Sequence, residues 1–154
     1  MKSIWEKTKS LLVVFNYEDD EQLKSFRVSL DKLLSSSGVE RLIIIVNIPK
    51  ELDKNNLPPH FLIYYNSPVD YNFWGKLKDI QLDEELKKEY DVLLWFGDVE
   101  RKIFPFVKKV NIGLKVGVDQ PTSFFDLQLH PDSIEPSEML RFVVNTLSKV
   151  SSVG

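Results

Sequence analysis

Four short apolar runs constrain the fold of this chain more than any other feature. They are Leu11–Phe15, Leu42–Val46, Phe61–Tyr65 and Val92–Phe96. Each run has the length of a strand rather than that of an ordinary helix, and none leaves a polar face for water. Strands that are apolar on both sides are typical of parallel sheets that carry helices on both faces. The runs therefore predict an α/β fold.

Helical patterns occupy the segments between and after these runs. Apolar residues such as Leu23 and Phe26 fall on one face of a helix that follows the first run. Asp19 or Asp20 can cap this helix, because a short carboxylate accepts hydrogen bonds from the first free N–H groups. Pro136 favours the start of a last helix, since proline suits the first helical position.

Two further apolar segments, Ile112–Val118 and Phe124–Leu129, predict a fifth and a sixth strand. The link between them is too short for the crossover that parallel strands usually need, so we expect this pair to be antiparallel. Residues 1–154 are then expected to form a single α/β domain. Its architecture is a three-layer, Rossmann-like fold with a mostly parallel sheet and an antiparallel edge strand.

Composition narrows the function classes. The chain has 43% hydrophobic and 28% charged residues, and 20 Lys and Arg residues oppose 23 Asp and Glu residues, a formal charge of −3. These values are typical of a globular protein, and without a basic stripe they argue against nucleic acid as a partner. The first apolar run ends after five residues without a small-residue cleavage site, and no stretch could span a bilayer. We expect a cytoplasmic protein with no membrane partner.

Polar residues mark the carboxyl ends of the predicted strands, where parallel sheets bind ligands. Asn16, Asn47 and Asn66 follow the first three runs. An amide both donates and accepts, which suits a neutral hydrogen-bonding ligand such as a sugar or a base. The alternative is that these asparagines end the strands, because asparagine tolerates turn conformations. The second interpretation is favoured.

Two more pairs of residues complete the candidate ligand-binding set. Gly97 and Asp98 follow the fourth run, and Gly75 and Lys76 close an irregular segment rich in aromatic residues. These aromatics could stack on a ring while Lys76 meets a negative group, or they could cover the sheet. Burial is the commoner use of aromatic side chains.

No motif in the sequence indicates a cofactor or a metal. It has no glycine-rich phosphate-binding pattern and no cysteine, and it contains only two histidines, His60 and His130. Asp19 and Asp20 resemble the magnesium-binding pair of receiver domains, but Asn66 stands where such a site needs an aspartate. An amide cannot accept a phosphoryl group. We expect no metal and no cofactor.

Three parts of the sequence carry a resemblance: Asn72–Lys76, Tyr90–Phe96, and Ile112–Gly117 leading to Phe125–Leu127. Together they resemble an uncharacterised α/β family of Bacteroidetes proteins. That resemblance implies no activity. Tyr90-Asp91 and Val116-Gly117 also resemble the N-terminal half of heptosyltransferase-like glycosyltransferases. This likeness implies a glycine-ended strand near an acceptor cleft, although such enzymes bind their nucleotide sugar mainly in a second domain.

The sequence leaves two function classes open and favours the first. One is a non-catalytic binding or interaction module whose partner is a small molecule or a protein. The alternative is a glycosyltransferase-like or nucleotide-binding enzyme, with Asp98 or Asp19 as base and Lys76 on a phosphate. A third arrangement, a homo-oligomer, would pair copies of the chain through the edge strand Phe124–Leu129.

Overall fold

The computed structural model describes residues 2–60, 62–119 and 122–151. Its helices are α1 (Ile4–Lys7), α2 (Asp20–Leu34), α3 (Ile80–Glu85), α4 (Phe104–Val107) and α5 (Pro136–Lys149), and a 3₁₀ turn spans Lys54–Asn56. Its strands are β1 (Ser10–Asn16), β2 (Arg41–Asn47), β3 (Ile63–Asn66), β4 (Glu89–Phe96), β5 (Asn111–Val118) and β6 (Leu127–Leu129). Phe61, the first residue of the predicted third run, lies outside the described residues. No helix within the described ranges is long and apolar enough to cross a membrane.

The strands form one sheet in the order β3-β2-β1-β4-β5-β6. Among the described residues, each pair of neighbouring strands in this sheet is parallel. This order is that of the doubly wound nucleotide-binding folds. The predicted Rossmann-like α/β fold is therefore confirmed, with the central strand β1 buried along Leu11–Phe15.

The predicted antiparallel edge is wrong, because β6 runs parallel to β5. Val116 pairs with Leu127 and Val118 with Leu129. The prediction assumed that the link must carry the chain back along a whole strand. Since β6 pairs only with the last residues of β5, the link returns by about two residues, roughly 7 Å. The described residues of this link, 119 and 122–126, form turns and irregular backbone rather than a helix.

Close packing at Gly117 helps this short connection to fold back. A Cβ atom placed there would lie 2.5 Å from Cδ2 of Phe125. Glycine therefore lets the Phe125 ring settle directly on β5, where it is buried at 5% exposure. The ring belongs to the core on that face of the sheet.

Two hydrophobic layers flank the sheet, and β1 contributes to both. Leu11, Val13 and Phe15 point into the core that α1, α2 and α5 cover. Leu12 and Val14 point into the opposite core, which α3 and α4 cover. This alternation follows from the period of two along a strand. The expected three-layer arrangement is present.

The chain changes direction across the sheet between β1 and β4. From β1 it proceeds to β2 and β3 on one side, and from β4 to β5 and β6 on the other. The connections after β1 and β4 therefore diverge to opposite faces. Open α/β sheets bind ligands in the crevice that this divergence leaves at the carboxyl ends.

Candidate functional site

Asn16, Asn47 and Asn66 lie side by side at the carboxyl edge of the sheet. Asn16 pairs with Asn47, and Asn47 pairs with Asn66, in the ladder of β1, β2 and β3. All three are buried, with relative exposures of 6%, 5% and 4%. We call this set the asparagine row. The sequence predicts this neighbouring position, because the carboxyl ends of parallel strands meet at one edge of the sheet.

Two members of the asparagine row bond to each other rather than point into open space. Nδ2 of Asn47 donates to Oδ1 of Asn16 over 2.9 Å. Nδ2 of Asn16 donates to the Asp98 carbonyl over 3.0 Å. These bonds tie the ends of β2 and β1 to the loop after β4. They support the interpretation that asparagine is needed here to end the strands.

Asn66 is bonded differently. Its Oδ1 accepts a hydrogen bond of 2.6 Å from the Tyr71 hydroxyl. Burial raises the pKa of Tyr71, so the phenol keeps the proton that it donates. Nδ2 of Asn66 is buried and has no acceptor among the described residues.

Gly97 and Asp98 form the turn that receives the Asn16 amide. Gly97 has a φ of +97°, and a Cβ atom there would lie 2.6 Å from Asn16 Nδ2. The Asp98 carbonyl also accepts from Trp95 Nε1 over 3.2 Å. The side-chain carboxylate of Asp98 accepts a hydrogen bond from the Glu100 N–H over 2.9 Å. Asp98 is therefore engaged in holding its own loop.

Gly75 and Lys76 belong to a separate turn. The chain there doubles back, with a bridge between Tyr71 and Leu77 and a bond of 2.8 Å from the Asn72 N–H to the Lys76 carbonyl. Gly75 takes a φ of +78°. The Lys76 side chain is exposed and forms no hydrogen bond with the asparagine row within the described residues. The predicted set thus divides into two places.

A crevice of about 370 Å³ opens at the switch point between β1 and β4. Its floor is formed by the strand ends, and α2 and the start of α5 form its sides. The described lining residues are Phe15, Asn16, Glu18, Gln22, Phe96, Gly97, Val118, Asp119, Ile134 and Met139. We call this cavity the switch-point crevice. It brings together Asn16 and Gly97 of the predicted set.

The charged groups in the described wall of the switch-point crevice are acidic. Glu18 and Asp119 line it, and no Lys or Arg side chain does so among the described residues. The backbone of Asp119 has a φ of +58°, and its Oδ1 lies 3.2 Å from Nδ1 of His130. Within the described residues, these groups do not join a cluster of three or more side chains that could hold a metal ion.

The N-terminus of α2 adds further negative charge beside the crevice. Asp19 caps the helix by accepting from the Gln22 N–H over 2.8 Å, which confirms its predicted capping role. Asp20 accepts a bond of 2.6 Å from the Tyr17 hydroxyl, and this bond raises the pKa of Tyr17 to about 12. These carboxylates oppose anion binding at the helix end.

Sequence reasoning missed several crevice residues. Glu18 and Asp119 come shortly after the carboxyl ends of β1 and β5. The reasoning that selected Asn16 from its place at a strand end could therefore have selected them as well. Ile134 and Met139 come from the segment before α5 and from α5 itself, far along the chain. No local pattern marks them, because their place depends on how α5 returns to the α2 face.

A solved structure of similar fold is the heptosyltransferase WaaC of E. coli with ADP-2-deoxy-2-fluoro heptose. It aligns with 93% of this chain, with a TM-score of 0.53 and 13% sequence identity. The aligned region is 50% of that protein, so the chain spans about half its length. No protein-family model and no curated protein sequence matches the chain.

These comparisons show the fold alone. They support the looser resemblance to heptosyltransferase-like glycosyltransferases at the level of architecture. The resemblance to an uncharacterised Bacteroidetes family gains no support from them. A shared Rossmann-like architecture does not carry an activity, because many unrelated sites are built on it.

Proposed function

We propose that this chain is a binding module that takes a small molecule rich in hydroxyl or amine donors. The ligand lies in the switch-point crevice. Asn16 and Asn47 already use their side-chain amides in hydrogen bonds within the protein. This makes catalysis by these residues less favourable and supports a binding role for the cavity beside them. The Asn47 amide donates to Asn16, and the Asn16 amide donates to the Asp98 backbone carbonyl, beside a cavity large enough for a small ligand.

The ligand class follows from the wall of the crevice. Phe15, Phe96 and Met139 present apolar surface, which suits the carbon skeleton of a ligand. Glu18 and Asp119 present carboxylates, which accept hydrogen bonds and cannot donate them when ionised. Donor groups such as hydroxyls or ammonium ions therefore fit, whereas phosphates and carboxylates would be repelled.

The test is a thermal-shift and calorimetry screen with neutral sugars, amino sugars and polyamines as probes. Replacing Glu18 by Gln and Asp119 by Asn removes charge while keeping shape, and Asn also tolerates the positive φ of position 119. Because hydrogen bonds to charged groups contribute about 1.5–3 kcal/mol, each variant should weaken a binding probe roughly tenfold or more. Glu51→Gln, in an exposed turn, is the matched control.

Two results would contradict the proposal. One is the absence of saturable binding across the three probe classes. The other is binding that Glu18→Gln and Asp119→Asn leave as strong as Glu51→Gln does. Either result would mean that the crevice does not select donor-rich ligands.

A second candidate is a glycosyltransferase-like enzyme, favoured by the fold shared with WaaC. Turnover of a nucleotide sugar by this chain would support it. Asp98→Asn keeps the acceptor for the Glu100 N–H, so this variant should fold yet lose turnover if Asp98 acts as the base. Equal turnover by Asp98→Asn and by the unmodified chain would rule out that role for Asp98.

We also propose that residues 1–154 act as one domain. What supports this is that the strands of the described residues share one sheet and its two covering layers. Pairing between copies through the edge strand stays a prediction, and the edge strand itself is shorter than expected, at Leu127–Leu129.

A further inference from the structure

We propose that a second cavity, beside the turn of residues 72–76, binds an anion attached to a planar aromatic ring. A nucleoside phosphate is the common biological form of this chemistry. The site lies apart from the switch-point crevice and has the opposite charge. We call it the basic cavity; it takes up about 540 Å³ between the turn and α4.

The turn holds aromatic rings in solvent by a defined set of bonds. Oδ1 of Asn72 accepts from the N–H groups of Trp74 and Lys76, over 2.9 and 3.0 Å. The positive φ of Gly75 closes the turn. As a result Phe73 and Trp74 are 92% and 79% exposed, with their rings edge-to-face at 5.3 Å. Exposed apolar side chains held together in this way are typical of a surface that meets a partner.

Flat apolar groups line the basic cavity. Phe73 comes from the turn, and Pro105 and Phe106 come from α4. The Tyr71 ring lies 5.7 Å from that of Phe106, tilted by 41°. A planar ring can stack on such walls, and aromatic stacking does not require one particular base.

Charge selects an anion for the same cavity. Lys102 and Lys109 line it, and no carboxylate does so among the described residues. Nζ of Lys102 donates to the Pro68 carbonyl over 3.2 Å and lies 5.7 Å from the centre of the Tyr71 ring. Neither lysine forms an ion pair with a described carboxylate.

This absence of acid sets the basic cavity apart in a chain of net charge −3. Four other cavities each have at least one carboxylate in the wall. Those carboxylates are Glu18 and Asp119 at the switch point, Asp79 near β3, Asp20 and Asp31 along α2, and Glu100 above Asn47. The volume of about 540 Å³ is also within the usual range for small-ligand sites, about 300–1,000 Å³.

Ring and anion are both needed for useful affinity. Exposed ion pairs are weak, so two solvated lysines alone would not hold inorganic phosphate well. Stacking on Phe73 supplies the larger part, because a stacked base typically contributes a factor of about five to a hundred and fifty in affinity. A nucleoside monophosphate combines the two.

The experiment measures binding of AMP and UMP by calorimetry, with adenosine, uridine and inorganic phosphate as matched probes. Trp74 is exposed while Trp5 and Trp95 are buried, and its ring lies 5.3 Å from that of Phe73. A change in the fluorescence of the exposed tryptophan therefore gives a second readout beside the cavity. We expect both monophosphates to bind at least about tenfold more tightly than inorganic phosphate, which cannot stack. They should bind severalfold more tightly than their nucleosides, which lack the anion.

Variants of exposed side chains test each part without disturbing the core. Phe73→Leu keeps apolar surface but loses the ring, and should weaken AMP roughly tenfold. Lys109→Gln should weaken AMP severalfold and leave adenosine unchanged. Lys108→Gln is the control, since Nζ of Lys108 lies 5.5 Å from the Phe104 ring and does not line the cavity.

The inference fails if neither monophosphate binds saturably, or if inorganic phosphate binds as tightly as AMP. It also fails if Phe73→Leu and Lys109→Gln bind AMP as the unmodified chain does, or if Lys108→Gln loses as much. Glu18→Gln and Asp119→Asn should leave AMP binding unchanged. The basic cavity and the switch-point crevice can therefore fail separately.

Discussion

Asn16 and Gly97 depend on each other at the turn after β4. Asn16 reaches the Asp98 carbonyl because Gly97 has no side chain in the way. The backbone at Gly97 also takes a conformation that costs other residues about 1–2 kcal/mol. One residue choice therefore serves both the turn and the strand-end hydrogen bond.

Gly97→Ala should lower the free energy of unfolding by about 2–4 kcal/mol, because strain at the positive φ adds to a collision with Asn16. Gly75→Ala is the matched control, since Gly75 has a φ of +78° and nothing within 4 Å of the added Cβ. It should show the strain alone. Chemical denaturation of both variants measures the difference.

Equal destabilisation by the two alanines would contradict this account of Gly97. It would mean that the Asn16 amide moves aside without loss, and that the hydrogen bond to Asp98 contributes little. A smaller loss in Gly97→Ala than in Gly75→Ala would contradict it more directly.

Prediction from sequence was strongest for residues that follow buried strands. Asn16, Asn47 and Asn66 come together because strand ends in a parallel sheet share one edge. What their amides would bond to could not be predicted. The acceptor of Asn16 is a carbonyl 82 residues away, which depends on β4 lying next to β1.

Among the elements, α5 shows how a helix start can be read locally. Pro136 opens the helix as predicted, and Glu135 caps it by accepting from the Glu138 N–H over 3.1 Å. Bonds from Ser137 and from the helix N–H groups lower the pKa of Glu135. Ser25 of α2 also donates to Glu135 over 3.2 Å, which links the two helices.

The lowered pKa of Glu135 gives the stability of α5 a pH dependence of known sign. Folded Glu135 binds its proton less readily than the unfolded residue, whose pKa is 4.5. The stabilisation is therefore present above about pH 4.5 and is lost as the pH falls through the folded pKa. Glu135→Gln should lower the Tm at about pH 7, and its Tm should approach that of the unmodified chain as the pH falls below 4.5 and through the folded pKa.

Glu51→Gln is the control for this pH series, because Glu51 lies in an exposed turn and is not part of α5. Its Tm should follow that of the unmodified chain at every pH. An offset in Tm between Glu135→Gln and the unmodified chain that stays constant as the pH falls below 4.5 would mean that the Glu135 carboxylate does not act through its charge.

The edge strand β6 shows the limit of local reading. Its sequence is apolar enough to predict a strand, but strand direction depends on where along β5 it pairs. At that position the Phe125 ring packs directly on Gly117. Nothing in the spacing of the two segments reports this contact.

Across the whole molecule, the sheet is most deeply buried at its centre. β1 lies between β2 and β4 and is covered on both faces, whereas β3 and β6 are the edges. β6 contributes three residues to the ladder. Opening an edge strand exposes less apolar surface than opening the centre.

Native-state hydrogen exchange should follow this order. Amides of β1 and β4 should exchange only through global unfolding, and those of β6 should exchange at least about tenfold faster through local opening. Mass spectrometry of peptides covering each strand measures the rates. Equal protection of β6 and β1 would mean that the edge opens together with the core, and it would point to a covered edge such as a contact between copies.

The apolar runs, the capping residues and the parallel sheet could be read from the chain alone, because each depends on neighbours within a few positions. The direction of β6 and the walls of both cavities could not. Ile134 and Met139 line one cavity with Phe15 and Phe96, and Phe73 lines another with Lys109, only after strands and helices distant in sequence have packed. Contacts of that kind are set by the packing of the whole core, which local sequence patterns do not encode.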